Sequence, residues 1–80
     1  MGKQRVKFTF VDQLVKEPII YRLGRDFEIV TNIRRADVQE ETGWVVLELD
    51  GEDSEINRGL AWVSSTGVRV DPISGDVIES

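Results

Sequence analysis

Residues 31–50 read TNIRRADVQEETGWVVLELD, two extended runs separated by a short polar stretch. The second run alternates between two sets of side chains, one apolar (Val45, Leu47, Leu49) and one mixed (Trp44, Val46, Glu48). A period of two is typical of a β-strand that is covered on one face. The polar residues QEETG, 39–43, indicate the turn of a β-hairpin. This hairpin therefore lies at the centre of the predicted fold.

Two further strands are predicted near the ends of the chain. The first shows the same alternation as the hairpin, with apolar side chains at Val6, Phe8 and Phe10. The last is short, with Val68 and Val70 between charged residues. Because Pro72 lacks a donor for the strand ladder, we expect the ordered core to span residues 4–71 and a tail to follow at 72–80.

A first helix is predicted between the first strand and the hairpin. Pro18 suits the opening turn of a helix, because an N–H group at that position would have no partner within the helix. Apolar residues then recur at helical spacing at Ile20, Leu23 and Phe27, so the helix spans about residues 17–27. Gly24 inside it indicates either a closely packed neighbouring element or simple tolerance of glycine.

A second helix is predicted after the hairpin, over about residues 54–66. Its apolar stripe consists of Ile56, Leu60 and Val63. Asp53 and Ser54 are candidate N-caps, and Gly67 suits the left-handed position after a helix. We interpret the acidic stretch DGEDSE, 50–55, as this helix start and not as a calcium loop, because it lacks the distal glutamate.

The order strand, helix, strand, strand, helix, strand predicts an α+β, ferredoxin-like βαββαβ fold. Its four-stranded antiparallel sheet carries both helices on one face. The second strand lies at a sheet edge in this topology, and there the arginine pair Arg34 and Arg35 protects against unwanted strand pairing. The apolar phase changes from odd at Ile33 to even at Ala36, which predicts a β-bulge at the arginine pair.

The sheet face opposite the helices is predicted to display Trp44 and Val46. An uncovered tryptophan and valine favour a partner interface at this face. The alternative is that Trp44 folds down beside the hairpin turn or the tail.

Composition limits the classes of function. The 80 residues suffice for one small domain, and the net charge of −5 disfavours nucleic acid and anionic membranes as partners. The chain has no cysteine and no histidine, which removes disulfides, thiolate nucleophiles and nearly every zinc geometry. No apolar run approaches the roughly 18 residues of a membrane span, and the stretch MGKQRV does not resemble the hydrophobic core of a signal peptide, so we expect a cytoplasmic protein without membrane insertion.

Sequence motifs for catalysis were not found. The chain has no phosphate-binding loop and no nucleophile elbow. Carboxylates are abundant, but none can be assigned an acid–base role. We therefore expect no enzyme activity, no catalytic residues, no metal and no cofactor.

Four segments together resemble the NIL domain: VKEPIIYRL, FEIVTNIRRADV, TGWVVLELDG and INRGLAWVSSTGVRV. The resemblance covers about residues 4–71, and it implies a single ferredoxin-like domain over residues 1–80. NIL domains form the C-terminal regulatory part of methionine-importer ATPase subunits and are fused to some ferredoxins. In the importers, the resemblance implies, paired copies bind methionine between them and inhibit transport.

The resemblance also implies a ligand site on the second strand. The Asn-Ile-Leu triplet that names the family is matched by Asn32 and Ile33, whereas Arg34 replaces the leucine. The amide of Asn32 offers a donor and an acceptor to a zwitterion, or alternatively satisfies the backbone at a bulge. Arg34 places methionine itself in doubt, but a guanidinium can equally bind an amino-acid carboxylate.

Two functional hypotheses follow from these residues. The first is a non-catalytic amino-acid sensor that acts as a homodimer, with methionine as a possible ligand of Asn32, Ile33 and Arg34. The second is a protein-interaction module without a metabolite ligand, which docks through the open face at Trp44 and Val46 or through the edge strand.

Overall fold

The computed structural model describes residues 2–73, and these form the predicted order of strands and helices. The strands are β1 (Gly2–Val11), β2 (Val30–Val38), β3 (Thr42–Gly51) and β4 (Arg69–Ile73). The helices are α1 (Ile19–Asp26) and α2 (Asp53–Ser65), with a short 3-10 helix (Asp12–Lys16) before α1. The ferredoxin-like α+β fold is confirmed.

The sheet has the strand order β2-β3-β1-β4, and all neighbouring strands are antiparallel. β2 is therefore an edge strand, as predicted, and β4 forms the other edge. The helices cover the sheet face that carries the apolar residues of β1 and β3. The buried core consists of Val6, Phe8, Phe10, Ile19, Leu23, Ile29, Val45, Leu47, Leu49, Ile56, Val63 and Val68.

The predicted β-bulge is present at the arginine pair. Ile33 lies opposite Leu47 and Arg35 lies opposite Val46, so Arg34 is the additional residue of β2. The bulge keeps both halves of the strand in phase with β3. Ile33 and Val38 consequently lie on the helix-covered side of the sheet, although they belong to opposite parities in the sequence.

The helix boundaries differ from the prediction in two details. α1 begins at Ile19, with Pro18 as its N-cap, because the extended Glu17 before the proline ends the 3-10 helix. α2 has Glu52 as its N-cap, without a side-chain capping hydrogen bond, so the assignment of Asp53 or Ser54 as caps was wrong. Both residues lie inside the first turn of α2. There the negative charge of the Asp53 carboxylate interacts favourably with the positive end of the helix dipole.

Gly67 ends α2 as predicted, with a φ of +101° that only glycine adopts readily. The neighbours of Gly24 do not need the space of a side chain, since a Cβ there would make ordinary contacts of 3.8 Å with Ile29 O and 3.9 Å with Thr31. The crowded helical glycine is Gly59, where a Cβ would lie 2.6 Å from Ile29 Cδ1 and 2.8 Å from Leu23 Cδ1. Gly59 therefore allows α2 to pack closely against α1 and against Ile29, which directly precedes β2.

The last strand continues further than expected. β4 includes Pro72 and Ile73, which the sequence assigned to the tail, and the rest of that tail lies outside the described residues. No helix within residues 2–73 is both long and apolar enough to span a lipid bilayer.

Candidate functional site

An apolar pocket of about 170 Å³ lies between the start of α1 and the end of the sheet where β2 and β3 meet. The sheet contributes four lining residues: Phe10, Val38, Gly43 and Val45. The segment that leads into α1, together with the first residues of that helix, contributes six: Val15, Glu17, Pro18, Ile19, Ile20 and Tyr21. Val38 and Tyr21 are 61% and 63% exposed, so the pocket opens to solvent beside the outer edge of β2.

The pocket coincides with an uncapped helix start. The first bond that closes a turn of α1 runs from the Arg22 N–H to the Pro18 carbonyl, over 3.0 Å. Among the backbone and side-chain groups that the structure describes, which leave out the side chain of Gln13, no acceptor binds the amide N–H groups of Ile20 and Tyr21, and Pro18 has no polar side-chain atom that can cap them. Such amides, at the positive end of a helix, attract carboxylate and other anionic groups.

The three predicted ligand residues do not converge on one point. Asn32 lies opposite Glu48 and shares the open face of the sheet, whereas Ile33 lies opposite Leu47 on the other face. Arg34, as the bulge residue, has no partner in the ladder. All three are exposed on the edge strand, and none of them lines the pocket.

The predicted interface residues Trp44 and Val46 lie on the open face, where both are half-buried. The ammonium group of Lys7 lies 5.3 Å from the centroid of the Trp44 ring, a cation–π contact. Arg5 and Glu48 form an ion pair of 3.8 Å on the same face. This face is therefore a mixed surface of charged and aromatic groups. The Trp44 ring on it is partly covered by other residues of the same chain, among them Lys7.

On the opposite side of the molecule, aromatic and arginine side chains stack across the two helices. The rings of Phe27 and Trp62 are 5.9 Å apart. Arg22 lies 5.0 Å from the Trp62 ring, and Arg58 lies 5.3 Å from the Phe27 ring. The stack closes the seam between α1 and α2 over the crowded position of Gly59.

The carboxyl groups with shifted pKa values belong to this helix side. The pKa of Glu55 is lowered by a hydrogen bond from the Glu28 backbone N–H and by hydrogen bonding to Arg58. The pKa of Asp26 is lowered by its hydrogen bond to Arg25. Neither group lines the pocket, so these shifts reflect contacts that stabilise the helix layer.

The family is decided by the match between this chain and a family model. The NIL domain model matches residues 4–72, nearly the whole chain. The chain belongs to the NIL domain family. This membership confirms the resemblance found in the sequence and supports a regulatory role for the domain. No curated protein sequence gives a significant match to the chain.

Solved structures show the same fold as this NIL domain. One is the C-terminal domain of an ABC transporter ATP-binding protein from Enterococcus faecalis, with a TM-score of 0.77 and 18% identity. The alignment covers 91% of this chain and 86% of that one. Another is the de novo designed protein Ferredog-Diesel, with a TM-score of 0.56, 15% identity and coverage of 91% and 85%.

The pocket is the feature of the NIL domain that sequence reasoning missed. Its lining combines residues from β1, β2 and β3 with residues 15–21, which lead into α1 and form its first turn, and these parts are far apart in the chain. The available signal was the segment VKEPIIYRL, which carried part of the family resemblance and contains six of the ten lining residues.

Proposed function

We propose that the chain is a non-catalytic regulatory domain that senses a small amino acid with an apolar side chain and responds through self-association. Methionine is the first candidate ligand. The observation that carries the proposal is the apolar pocket beside the uncapped amides of α1. Membership of the NIL family supports the regulatory part.

The chemistry of the pocket suits both ends of an amino acid. Its apolar lining fits a flexible thioether or an aliphatic side chain. The amides of Ile20 and Tyr21 offer donors to a carboxylate, and Glu17 offers a counter-charge to an ammonium group. A volume of about 170 Å³ is small beside the roughly 300–1,000 Å³ of drug-sized sites, which favours a single amino acid.

Asn32, Ile33 and Arg34 enter the proposal through a second copy of the domain. Asn32 and Val38 are separated by five ladder positions on β3, or about 17 Å at about 3.4 Å per residue. One free amino acid cannot reach from the pocket to Asn32 within a single copy. A ligand contact from Asn32 or Arg34 therefore requires self-association, which brings the edge strand of one copy to the pocket of another.

A titration of isotope-labelled protein with L-methionine and a panel of other amino acids tests the proposal. We expect saturable amide shifts that cluster on residues 15–21 and 38–45. Val38→Glu should weaken binding by about tenfold or more, because it places an unpaired carboxylate at an apolar site. Val30→Glu is the matched control, since Val30 is exposed on the same strand and does not line the pocket.

The absence of shifts across the panel, in wild-type protein that is folded, would overturn the sensor. Asn32→Ala tests whether Asn32 belongs to the ligand site. If this variant keeps both the wild-type affinity for the amino acid and the wild-type oligomeric state, Asn32 is not part of that site.

The second candidate is a protein-interaction module without a metabolite ligand, and the half-buried pair Trp44 and Val46 on the open face favours it. In that case the amino-acid panel causes no shifts. Trp44→Ser would then abolish binding of the partner protein while the unfolding midpoint of the domain stays near its wild-type value.

A further inference from the structure

The segment between β1 and α1 contributes to the walls of two cavities. This segment, residues 12–18, consists of the 3-10 helix and the two residues before α1, and we call it the strap. Three strap residues line the apolar pocket: Val15, Glu17 and Pro18. Asp12 and Lys16 line a polar cavity of about 260 Å³, together with Glu40 and Glu41 of the hairpin turn. The two cavities share no lining residue, so the strap has free space beside it in addition to the pocket.

The middle of the strap, residues 14–16, is weakly attached to the rest of the domain. Among the described groups, which leave out the Gln13 side chain, it makes no hydrogen bond to another element. The bond of 3.2 Å from the Glu17 N–H to the Leu14 carbonyl lies within the strap itself. Of the described strap side chains, Leu14 and Val15 alone are half-buried, and they pack against the core. Segments with so few tertiary contacts move at a low cost in free energy.

Each end of the strap is a sharp turn of the backbone. Asp12 has a φ of +55°, and no other residue of the described chain except glycine has a positive φ. Its N–H donates to the Glu41 carbonyl over 2.8 Å, which fixes this end to the hairpin turn. Pro18, with a φ of −80° and a ψ of 59°, forms an inverse γ-turn that the Ile19 N–H closes on the Glu17 carbonyl over 2.8 Å. The strap is therefore a short segment between two turns, and hinges are built from a few residues of this kind.

We infer that the strap moves as one unit about Asp12 and Pro18, between a closed and an open position. The closed position is the one in the structure. In the open position the strap is shifted away from the apolar pocket and toward the polar cavity, which widens the pocket and lets the amino acid enter or leave. The bound amino acid contacts Val15 and Glu17 and so shifts the population toward the closed position. This inference rests on the proposed function, because the ligand on which the strap closes is the amino acid of the pocket.

Lys16 supplies an attraction that favours the open position. It is exposed, and within residues 2–73 it forms no ion pair in the structure. The carboxylates of Glu40 and Glu41 line the same cavity. A shift of the strap toward this cavity shortens the distance between the Lys16 ammonium and these carboxylates. Ligand contacts in the pocket and the charge of Lys16 thus act in opposite directions on the strap.

The strap also contacts the end of α2. A Cβ at Gly67 would lie 3.3 Å from Leu14 Cδ1, so the Leu14 side chain packs directly over this glycine. Gly67 connects α2 to β4. Movement of the strap therefore reaches a part of the domain that does not line the pocket, and a change in occupancy of the pocket should alter the amide shift of Gly67.

Backbone relaxation dispersion of the isotope-labelled chain tests the movement. Lid motions occur on the microsecond to millisecond timescale that this method detects. We expect residues 13–17 to share one exchange rate in the absence of ligand, and saturating L-methionine to suppress this exchange. Residues 27–29 are the control, because they also form a turn, with a bond of 2.8 Å from the Ile29 N–H to the Phe27 carbonyl, but do not line the pocket. Strap amides without exchange, or with unrelated rates, would overturn the inference.

A pair of variants at Asp12 tests the hinge. Asp12→Ala and Asp12→Asn both remove the carboxylate, but asparagine tolerates a positive φ and alanine does not. D12A should therefore raise the population of the open position about fivefold relative to D12N, in the same dispersion measurement without ligand. Equal populations in the two variants would show that Asp12 is no hinge and would overturn the inference.

A pair of lysine variants tests the charge. Lys16→Gln should lower the population of the open position about twofold, because it removes the attraction to Glu40 and Glu41. Lys3→Gln is the matched control, since Lys3 is an exposed lysine of β1 that lines neither cavity. An open population that falls equally in both variants would contradict the shift toward the polar cavity.

The outcomes separate this inference from the proposed function. Methionine that binds in the pocket without any change in the exchange of the strap would overturn the strap and leave the sensor standing. Exchange that responds to D12A and K16Q, in a chain that binds no amino acid, would overturn the sensor and support the movement about Asp12 by itself.

Discussion

The Glu55 carboxylate accepts a hydrogen bond from the backbone N–H of Glu28, with 3.0 Å between Oε2 and N. Glu55 belongs to the first turn of α2, and Glu28 lies in the connection between α1 and β2. The contact ties the start of one helix to the chain that leaves the other. Arg58, one turn along α2, holds the same carboxylate at 3.0 Å.

Glu55 should make the stability of the domain depend on pH. The folded state lowers the pKa of this group, so its contribution is complete above the usual glutamate pKa of about 4.3. The contribution is lost as the pH falls through the lower, folded pKa. In urea unfolding, Glu55→Gln should therefore be less stable than wild type at pH 6, and the difference should shrink at pH 3.

The control for this prediction is Glu52→Gln. Glu52 is exposed at the same helix start and makes no capping hydrogen bond. A difference in the free energy of unfolding between wild type and E55Q that stays constant from pH 6 to pH 3 would show that the charge of Glu55 contributes nothing to stability.

Gly59→Ala should destabilise the domain despite the better helix propensity of alanine. The new Cβ would lie 2.6 Å from Ile29 Cδ1 and 2.8 Å from Leu23 Cδ1, and both of those side chains are buried. Overpacking of this kind costs about 1–3 kcal/mol, more than the gain of about 1 kcal/mol from propensity. The free energy of unfolding in urea measures the net effect.

Gly24→Ala is the matched substitution and should have the opposite sign. Its Cβ would meet no atom closer than 3.8 Å, and Gly24 lies inside α1. We expect stabilisation of up to about 1 kcal/mol from propensity alone. Equal effects of the two alanines would contradict the close packing at Gly59.

This pair of glycines shows where the sequence is informative and where it is not. Alternation and helical spacing predict the elements, because one covered face imposes its period on each of them. The parity change between Ile33 and Ala36 likewise predicts the bulge, since β3 is regular beside it. Whether a glycine is crowded depends on neighbours from other elements, so the sequence directed attention to Gly24 although Gly59 is the crowded residue.

The candidate site was predictable in part for the same reason. Trp44 and Val46 follow the period of β3, and their place on the open face was predicted correctly. The pocket requires the end of β2, at Val38, and the start of α1, at Ile19, to lie beside the same cavity, and no local sequence pattern encodes that arrangement. The N-cap of α2 was misassigned because two adjacent residues with capping side chains precede the stripe, and the helix begins one residue before the predicted start.

Deletion of Arg34 should be tolerated. Ile33, Arg35 and Ala36 already face consecutive residues of β3, so removal of the bulge residue leaves a regular ladder with every other side chain on its present face. Deletion of Asn32 removes the same number of residues from the same strand, but realigns the strand so that Ile33 turns to the open face and Arg34 to the helix-covered face. We therefore expect the Arg34 deletion to unfold in urea at a midpoint near that of wild type, and the Asn32 deletion to unfold at a lower one.

Cross-strand contacts between residue 33 and Leu47, measured by NMR, should survive only in the Arg34 deletion. Their loss in both variants would mean that the bulge itself is needed to hold β2 in register.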